Sequence, residues 1–413
     1  MLVRLQLGGK CWSLPRLLHE PLQPLLRMPE AAQPRKQGVA PGSEQRWRDG
    51  VNGHGGRLVA HVTRGERQLN GGGGGQSNRA NEMKLTVRLA PLICLATLAS
   101  AATDWPQFRG PGGDGHSSAK NLPLTWDATK NVAWKTEVPG KGWASPALFK
   151  NRLYLTTAEE VGSDLSLRAL CHEAATGKPL WATEIFLTPP VKHHAKNSQA
   201  SPTAIVDGDR VYVHFGHYGT ACLDLAGKIV WKQTELKYSP VHGNGGSPIL
   251  VGNALIFSCD GGSDPFVVAL DKTSGKVLWK VKRATTAKRN FSFSTPTLIT
   301  VKGQQQLITP GSGVVCALDP KTGAELWRCR YGEGYSVIPK PVLGHGMIFL
   351  SSGYDKPVLH AIRADGKGDV TDTHIAWKLE KGAPHTPSPL LVGNELYVVS
   401  DAGIATCLDA KTG

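Results

Sequence analysis

Polar and aromatic residues recur at equivalent places in the chain, in short segments just ahead of apolar runs. Aromatic rings combined with hydrogen-bonding groups suit a site for a peptide or a small ligand. The candidate ligand-binding residues in these segments are Trp143, Lys196, Asn197, His242, Asn244, Phe293, Tyr335 and His385. His217 is a further candidate, which follows an apolar run and is expected to reach the same face. The alternative interpretation is that these segments are ordinary solvated turns whose histidines serve only their own loops.

Other chemically capable residues lack the spacing that catalysis requires. None of the eight cysteines forms a Cys-x-x-Cys pair, and most lie in apolar runs typical of small buried side chains. The pairs His193/His194 and His214/His217 have no third ligand marked by the sequence, so we expect no metal site. No phosphate-binding loop, nucleophile elbow, zinc-protease or dinucleotide fingerprint occurs. We therefore assign no catalytic residue and expect no cofactor.

The elements that position these segments form an internal repeat marked by tryptophan. Six tryptophans follow one another at spacings of 47, 50, 48, 48 and 50 residues. A glycine turn, and before it a Leu-Asp pair, precedes most of them. The six predicted structural docking residues are Trp134, Trp181, Trp231, Trp279, Trp327 and Trp377. The pattern therefore predicts four short strands in each repeat unit, with the tryptophan in the last strand.

Four short strands in about 40–50 residues are typical of a β-propeller blade, and blades bury their faces against their neighbours. We expect each tryptophan to pack over the turn of the adjoining blade. The predicted fold is all-β, with the candidate binding segments on one face, the funnel face. The sequence supplies a lone outer strand over 130–138, five full blades and three strands of a sixth. A six-bladed ring is possible, but we favour a C-terminally truncated propeller of about eight blades.

The first part of the chain has a different composition. Residues 1–82 are rich in Pro, Gly and Arg and include the run Gly71 to Gly75, so we expect a disordered basic extension. Residues 83–101 combine a basic start, an apolar run and an Ala-Ser-Ala site, which is typical of a secretory signal peptide. We hypothesise that translation starts at Met83. The alternative is an export-incompetent form with a disordered basic tail.

Charge and targeting limit the classes of partner. The net charge is +14, of which residues 1–82 carry +6 and residues 83–102 carry +2, leaving +6 for the remaining 311 residues. Such a mild charge argues against nucleic-acid binding. Cys94 lies inside the apolar run after Ile93, where a lipidation site requires a small residue, so we expect no lipid anchor and no transmembrane span. Residues 102–413 are expected to be a secreted or periplasmic propeller.

The pattern Ala-Leu-Asp-x-x-Ser/Thr-Gly-x-x-x-Trp, over 269–279 and 317–327, resembles the tryptophan-docking repeat of the pyrroloquinoline-quinone (PQQ) propellers. This superfamily contains the quinoprotein alcohol dehydrogenases and the outer-membrane assembly propeller BamB. The resemblance covers about residues 104–413, beginning with the segment Asp104 to Pro111, and implies eight blades. The repeat is specific for the fold and says little about function.

The resemblance implies three functions. Quinoprotein dehydrogenases use an adjacent Cys-Cys disulfide, a tryptophan floor, a Glu/Asn/Asp calcium site and an Asp base, yet this sequence has no adjacent cysteines and no matching set. We therefore expect a non-catalytic scaffold that binds a protein partner or a small ligand on its funnel face. The alternatives are a quinoprotein oxidoreductase using PQQ and calcium, and an assembly factor akin to BamB, against which the missing lipidation site counts.

Overall fold

The computed structural model describes residues 104–413, together with the backbone of one strand, Leu58–Val62. That strand, β1, pairs antiparallel with β2, Trp134–Val138. Apart from β1, the predictions made for residues 1–82 and 83–101 lie outside the described residues. Of the propeller predicted for residues 102–413, the structure describes residues 104–413.

Six antiparallel sheets, blades 1 to 6, follow β2 in chain order. Blade 1 contains β3 Ala147–Phe149, β4 Arg152–Val161, β5 Asp164–Glu173 and β6 Pro179–Thr188. Blade 2 contains β7 Ile205–Asp207, β8 Arg210–His214, β9 Thr220–Asp224 and β10 Ile229–Gln233. Blade 3 contains β11 Ile249–Val251, β12 Ala254–Cys259, β13 Phe266–Asp271 and β14 Val277–Lys282.

The remaining blades keep this order with two departures. Blade 4 contains β15 Thr297–Val301, β16 Gln304–Gly311, β17 Val314–Leu318 and β18 Glu325–Arg330. Blade 5 contains β19 Val342–Gly344, β20 Met347–Ser351, β21 Leu359–Arg363 and β23 Ile375–Leu379. Blade 6 contains three strands, β24 Leu390–Val392, β25 Glu395–Val399 and β26 Ala405–Asp409. The two-residue strand β22, Gly368–Asp369, pairs parallel with β18 and so extends blade 4.

The hydrophobic core lies between neighbouring blades. One cluster joins blades 1 and 2, and further clusters fill each successive gap up to blades 5 and 6. The second and third strands are nearly continuous apolar runs because both faces of each sheet are covered, as β13 illustrates. The fourth strand alternates, so that in β14 Trp279 is buried while its neighbours Leu278 and Lys280 are exposed. The predicted all-β propeller of stacked blades is confirmed.

The tryptophans hold each blade to the next. In five of the six, the indole Nε1 donates to a backbone carbonyl in the adjoining blade at 3.0–3.1 Å, as in Trp279 to Pro320. A glycine lies beneath each ring: a Cβ on Gly323, whose φ is +75°, would stand 2.7 Å from Trp279 Cε3. The preceding aspartate shapes the turn, since Asp319 Oδ1 accepts from the amides of Lys321 and Thr322.

Trp327 departs from this pattern. Its Nε1 donates to Gln306 Oε1 of its own blade at 2.8 Å. The next blade carries a longer connection between β21 and β23 in place of the short turn, and this connection includes β22. Val370, in the same connection, is buried in the cluster that contains Trp327, and Trp327 itself is fully buried. The connection therefore covers this tryptophan instead of presenting a carbonyl to it.

An irregular segment, Asp104–His116, runs along the inner strands, and we call it the strap. Trp105 exchanges two backbone hydrogen bonds with Leu148 of β3, at 2.7 and 2.8 Å. At its other end, Arg109 Nη2 donates to Pro389 O at 2.7 Å and His116 Nε2 bonds to Leu391 O at 2.8 Å. The strap thus links blade 1 directly to blade 6.

Candidate functional site

The blade topology collects two kinds of loop on the funnel face. In an up-and-down sheet, the connection before the first strand and the connection between the second and third strands emerge at the same end. The predicted binding segments occupy the first kind of loop. The second kind includes the 3₁₀ turn Gly216–Tyr218 of blade 2. The glycine turns that receive the tryptophans emerge at the opposite end.

Six rings from these loops follow one another across five blades, and we call them the aromatic arc. Neighbouring ring centroids are 4.9–6.2 Å apart, which is the ordinary distance for interacting aromatic side chains. The arc runs in the order His194, His242, Phe291, Tyr335, Tyr354 and His385. Tyr354 is the most open of its tyrosine and phenylalanine rings, 46% exposed.

Three predicted residues belong to the arc, and Phe293 adjoins it. His242, Tyr335 and His385 are members, while the Phe293 ring lies 6.1 Å from that of Phe291. Burial lowers the pKa of His242, and the neighbouring His194 lowers it further. His242 is therefore a neutral, aromatic member of the arc at neutral pH.

The predicted amides form a hydrogen-bonded support beneath one end of the arc. Asn197 Nδ2 donates to the carbonyl oxygens of His242 at 2.9 Å and Asn244 at 3.1 Å. Asn244 Nδ2 donates to Phe215 O at 2.9 Å, and its Oδ1 accepts from Tyr238 at 3.2 Å. The side-chain amides of Asn197 and Asn244 thus hold the backbone of the neighbouring loops in place.

His217 lies beside this support. Its Nδ1 is 3.5 Å from Asn244 Oδ1, and its Nε2 is buried without a hydrogen-bond partner in the part of the chain that the structure describes. Burial lowers the pKa of His217, and the positive charge of Lys237 lowers it further, against the effect of Asn244. His217 is thus a neutral ring on the funnel face.

Two predicted residues stay apart from the arc. The Trp143 side chain is 37% exposed, and its backbone amide donates to Ala200 O at 3.2 Å. Lys196 is exposed, and its backbone amide donates to His194 Nδ1 at 3.1 Å. Across residues 104–413, no ring contact or side-chain hydrogen bond joins either side chain to the arc.

Sequence reasoning missed Phe291, Tyr354 and several charged neighbours. Arg289 lies over the Tyr335 ring at 4.5 Å, and Tyr335 donates to Asp355 Oδ1 at 3.0 Å. Asp401 accepts from the amide of His385 at 2.6 Å. Hydrogen bonds from Thr386 and His385 lower the pKa of Asp401 although burial raises it. The sequence did contain a signal for Phe291, because a second phenylalanine, Phe293, follows two residues later.

A small polar pocket lies next to the arc. Its lining residues are His214, Tyr238, Gly243, Asn244, Gly245, Gly246, Ser258, Asp260, Ser292 and Phe293. Asp260 forms a fully buried ion pair with Arg283, with Arg283 Nε donating to Asp260 Oδ1 at 2.9 Å. Burial raises the pKa of Asp260 against the opposing effect of Arg283. Arg283 also donates to Thr309 O at 2.6 Å, so the ion pair already has its hydrogen-bond partners within the protein.

Most of the described cysteines are buried, and the described residues form no metal-binding cluster. Burial raises the pKa of Cys171, Cys222, Cys316 and Cys329 to about 11, so these thiols are protonated at neutral pH. Within residues 104–413, no group of three or more His, Cys, Asp or Glu side chains lies close enough to hold a metal ion. No described helix is long and apolar enough to cross a membrane.

The stacked four-stranded sheets with docked tryptophans define a β-propeller of the PQQ-like class. The chain belongs to the family of outer membrane protein assembly factor BamB, whose match covers residues 117–234 and 166–413. The resemblance drawn from the sequence is thereby confirmed. No curated protein matches the chain.

Solved structures of similar fold have low sequence identity. BamB from Moraxella catarrhalis is 17% identical with a TM-score of 0.42, covering 68% of this chain and 76% of that one. Quinohemoprotein alcohol dehydrogenase from Comamonas testosteroni is 13% identical with a TM-score of 0.44, covering 76% of this chain and 73% of that one.

Proposed function

We propose that the protein is a non-catalytic binding scaffold outside the cytoplasm, whose funnel face binds an extended segment of a protein partner. The aromatic arc carries this proposal, because it aligns rings from five blades along one face. Rigid aromatic side chains give large contact areas at small entropic cost and are enriched at binding hot spots.

The shape of the arc favours an extended chain over a compact ligand. An extended segment advances about 3.3 Å per residue and presents alternate side chains to one surface. Such a segment could therefore contact the exposed and half-buried rings of the arc, while Phe291 and Tyr335 are buried and support them from below. Arg289 beside Tyr335 supplies a charged group next to the arc. A single small ligand would contact only part of it.

The test compares binding of short synthetic peptides, with alternating tyrosines, to the full chain by fluorescence anisotropy. Tyr354→Ala removes an exposed ring from the arc. It should weaken binding about tenfold, equivalent to about 1.4 kcal/mol. Leu278→Ala is the matched control, because Leu278 is 50% exposed on the outer strand β14, away from the funnel face. Equal affinities for the two variants would contradict the proposal.

The family match favours a second candidate, a role in outer membrane protein assembly. Purified barrel-assembly proteins should then bind the wild-type chain and lose affinity with Tyr354→Ala. Titration of PQQ with Ca²⁺ tests the oxidoreductase alternative. Saturable binding with a change in cofactor absorbance would favour that alternative over a non-catalytic scaffold.

The proposed location depends on the signal peptide that the sequence predicts at residues 83–101. N-terminal sequencing of the native protein should give a start near Ala102. A mature start before residue 83 would contradict both the proposed export and the proposed translation start at Met83.

A further inference from the structure

Lys340 is a buried cation with no counter-ion in contact. It precedes β19, is 3% exposed, and its backbone amide donates to Ser388 Oγ at 2.9 Å. Within residues 104–413, its Nζ has no hydrogen-bond or ion-pair partner. Lysine is almost never this buried unless it is paired.

The Lys340 side chain points at the strap. A Cβ built on Gly113 would lie 2.4 Å from Lys340 Nζ, so the ammonium group reaches the backbone of the strap itself. Any larger residue at position 113 would displace the lysine. The glycine therefore leaves room for the lysine head beneath the strap.

Arg109 adds a second cation to the same place. Its Nη2 donates to Asp114 O at 2.5 Å and Pro389 O at 2.7 Å, but its Nε is buried and has no partner among the described residues. The charges acting on Lys340 are Arg109, which disfavours its protonation, and Asp114, which favours it. Two cations thus face one carboxylate, and a buried uncompensated charge is costly.

We propose that Lys340 and Arg109 form a binding site for a small oxyanion, a carboxylate or a phosphate group, beneath the strap. An oxyanion there would supply the missing counter-charge and accept a hydrogen bond from Lys340 Nζ, with the charge of Arg109 acting nearby. Burial and Arg109 lower the pKa of Lys340 to about 8, so the amine is largely protonated at pH 7. The proposed site is independent of the aromatic arc and of any partner bound there.

Thermal unfolding of the full chain tests the site at pH 7. Inorganic phosphate and acetate are titrated separately, with chloride keeping the ionic strength constant. The midpoint should rise with the logarithm of the concentration of the anion that binds, because a ligand of the native state stabilises it. Lys340→Met should weaken this response at least tenfold, whereas Lys381→Met, at an exposed lysine, should respond like the wild type.

Asp114→Asn should strengthen anion binding, whereas Lys340→Met should weaken it. The first change removes the competing carboxylate while the backbone carbonyl that Arg109 contacts remains, so the anion should bind several-fold more tightly. Should Lys340→Met fail to fold, ³¹P line broadening by the wild type and by Asp114→Asn still measures phosphate binding. The proposal is overturned if phosphate and acetate act no differently from chloride, or if Lys340→Met responds like the wild type. A response to one anion only would identify phosphate or carboxylate as the ligand.

Discussion

At the residue scale, buried histidines couple the stability of the blades to pH. His360 of β21 is almost fully buried, and its Nδ1 donates to Val358 O at 3.0 Å. Burial lowers the pKa of His360 to about 4, and the charge of Lys378 contributes in the same direction. His214, in the polar pocket, is fully buried, and burial lowers its pKa to about 3. Both rings are therefore neutral in the folded protein.

The free energy of unfolding should fall as the pH falls from about 6.5 to about 4. In that window the unfolded chain binds a proton at His360 that the native state does not, which destabilises the native state by up to about 3 kcal/mol. His360→Gln should reduce this loss, as measured by urea unfolding at pH 7 and pH 4.5. His345→Gln, on the exposed surface, is the control, and an equal loss in both variants would contradict the prediction.

Single residues of the binding face could be predicted only where the repeat placed them. Tyr335 and His385 stand just before first strands, so their position followed from the repeat. Tyr354 lies in a loop between second and third strands, and no feature of its own sequence context marks it. Its contact with His385, at 5.2 Å, joins two blades and depends on how they stack. The sequence pattern contains no information on that angle.

At the scale of the element, the glycine turn and the tryptophan form one joint. The turn position requires glycine for two reasons. Its φ is positive, and the tryptophan covers the turn so closely that there is no room for a side chain. These two requirements can be separated, because some other turn glycines have a positive φ and open space. Gly303, in the turn between β15 and β16, has a φ of +81° and nothing within 4 Å of an added Cβ.

Gly323→Ala should therefore destabilise the protein more than Gly303→Ala. The second change carries only the conformational cost, about 1 kcal/mol. The first also places a methyl group 2.7 Å from Trp279 Cε3, which should raise the total to about 2–4 kcal/mol. Urea unfolding followed by tryptophan fluorescence measures both. Equal losses would mean that the tryptophan does not dock on the turn in solution.

The repeat could be predicted at this scale because its tryptophan spacing reflects the length of one blade. The connection between β21 and β23 could not be predicted from the sequence. Its strand β22 has two residues, Gly368 and Asp369, which is too short for any periodicity. It lies against Trp327, and the bond from that indole to Gln306 follows from this displacement of the usual turn. A tertiary contact has here replaced the turn that the repeat predicts.

At the scale of the whole molecule, contacts between consecutive blades hold the propeller together except at the strap. Each core cluster joins only neighbours, as expected of a repeat architecture. The strap instead joins residues far apart in sequence, since Arg109 and Pro389 are 280 positions apart. The sequence identified Asp104 to Pro111 as the start of the resemblance. Its path across the blades is irregular and therefore has no periodic signal.

Removing the hydrogen bond from Arg109 of the strap to blade 6 should increase local unfolding of blade 6 and leave the middle blades unchanged. Arg109→Met keeps the length of the side chain but removes the donor to Pro389 O, next to β24. Hydrogen–deuterium exchange should become about tenfold faster in β24 and remain unchanged in β11 of blade 3. Arg289→Met, which alters an exposed guanidinium outside the strap, should leave both strands unchanged. Unchanged exchange in β24 of Arg109→Met would show that neighbour contacts alone hold blade 6, and an equal rise in β11 would indicate general destabilisation instead of a local tether.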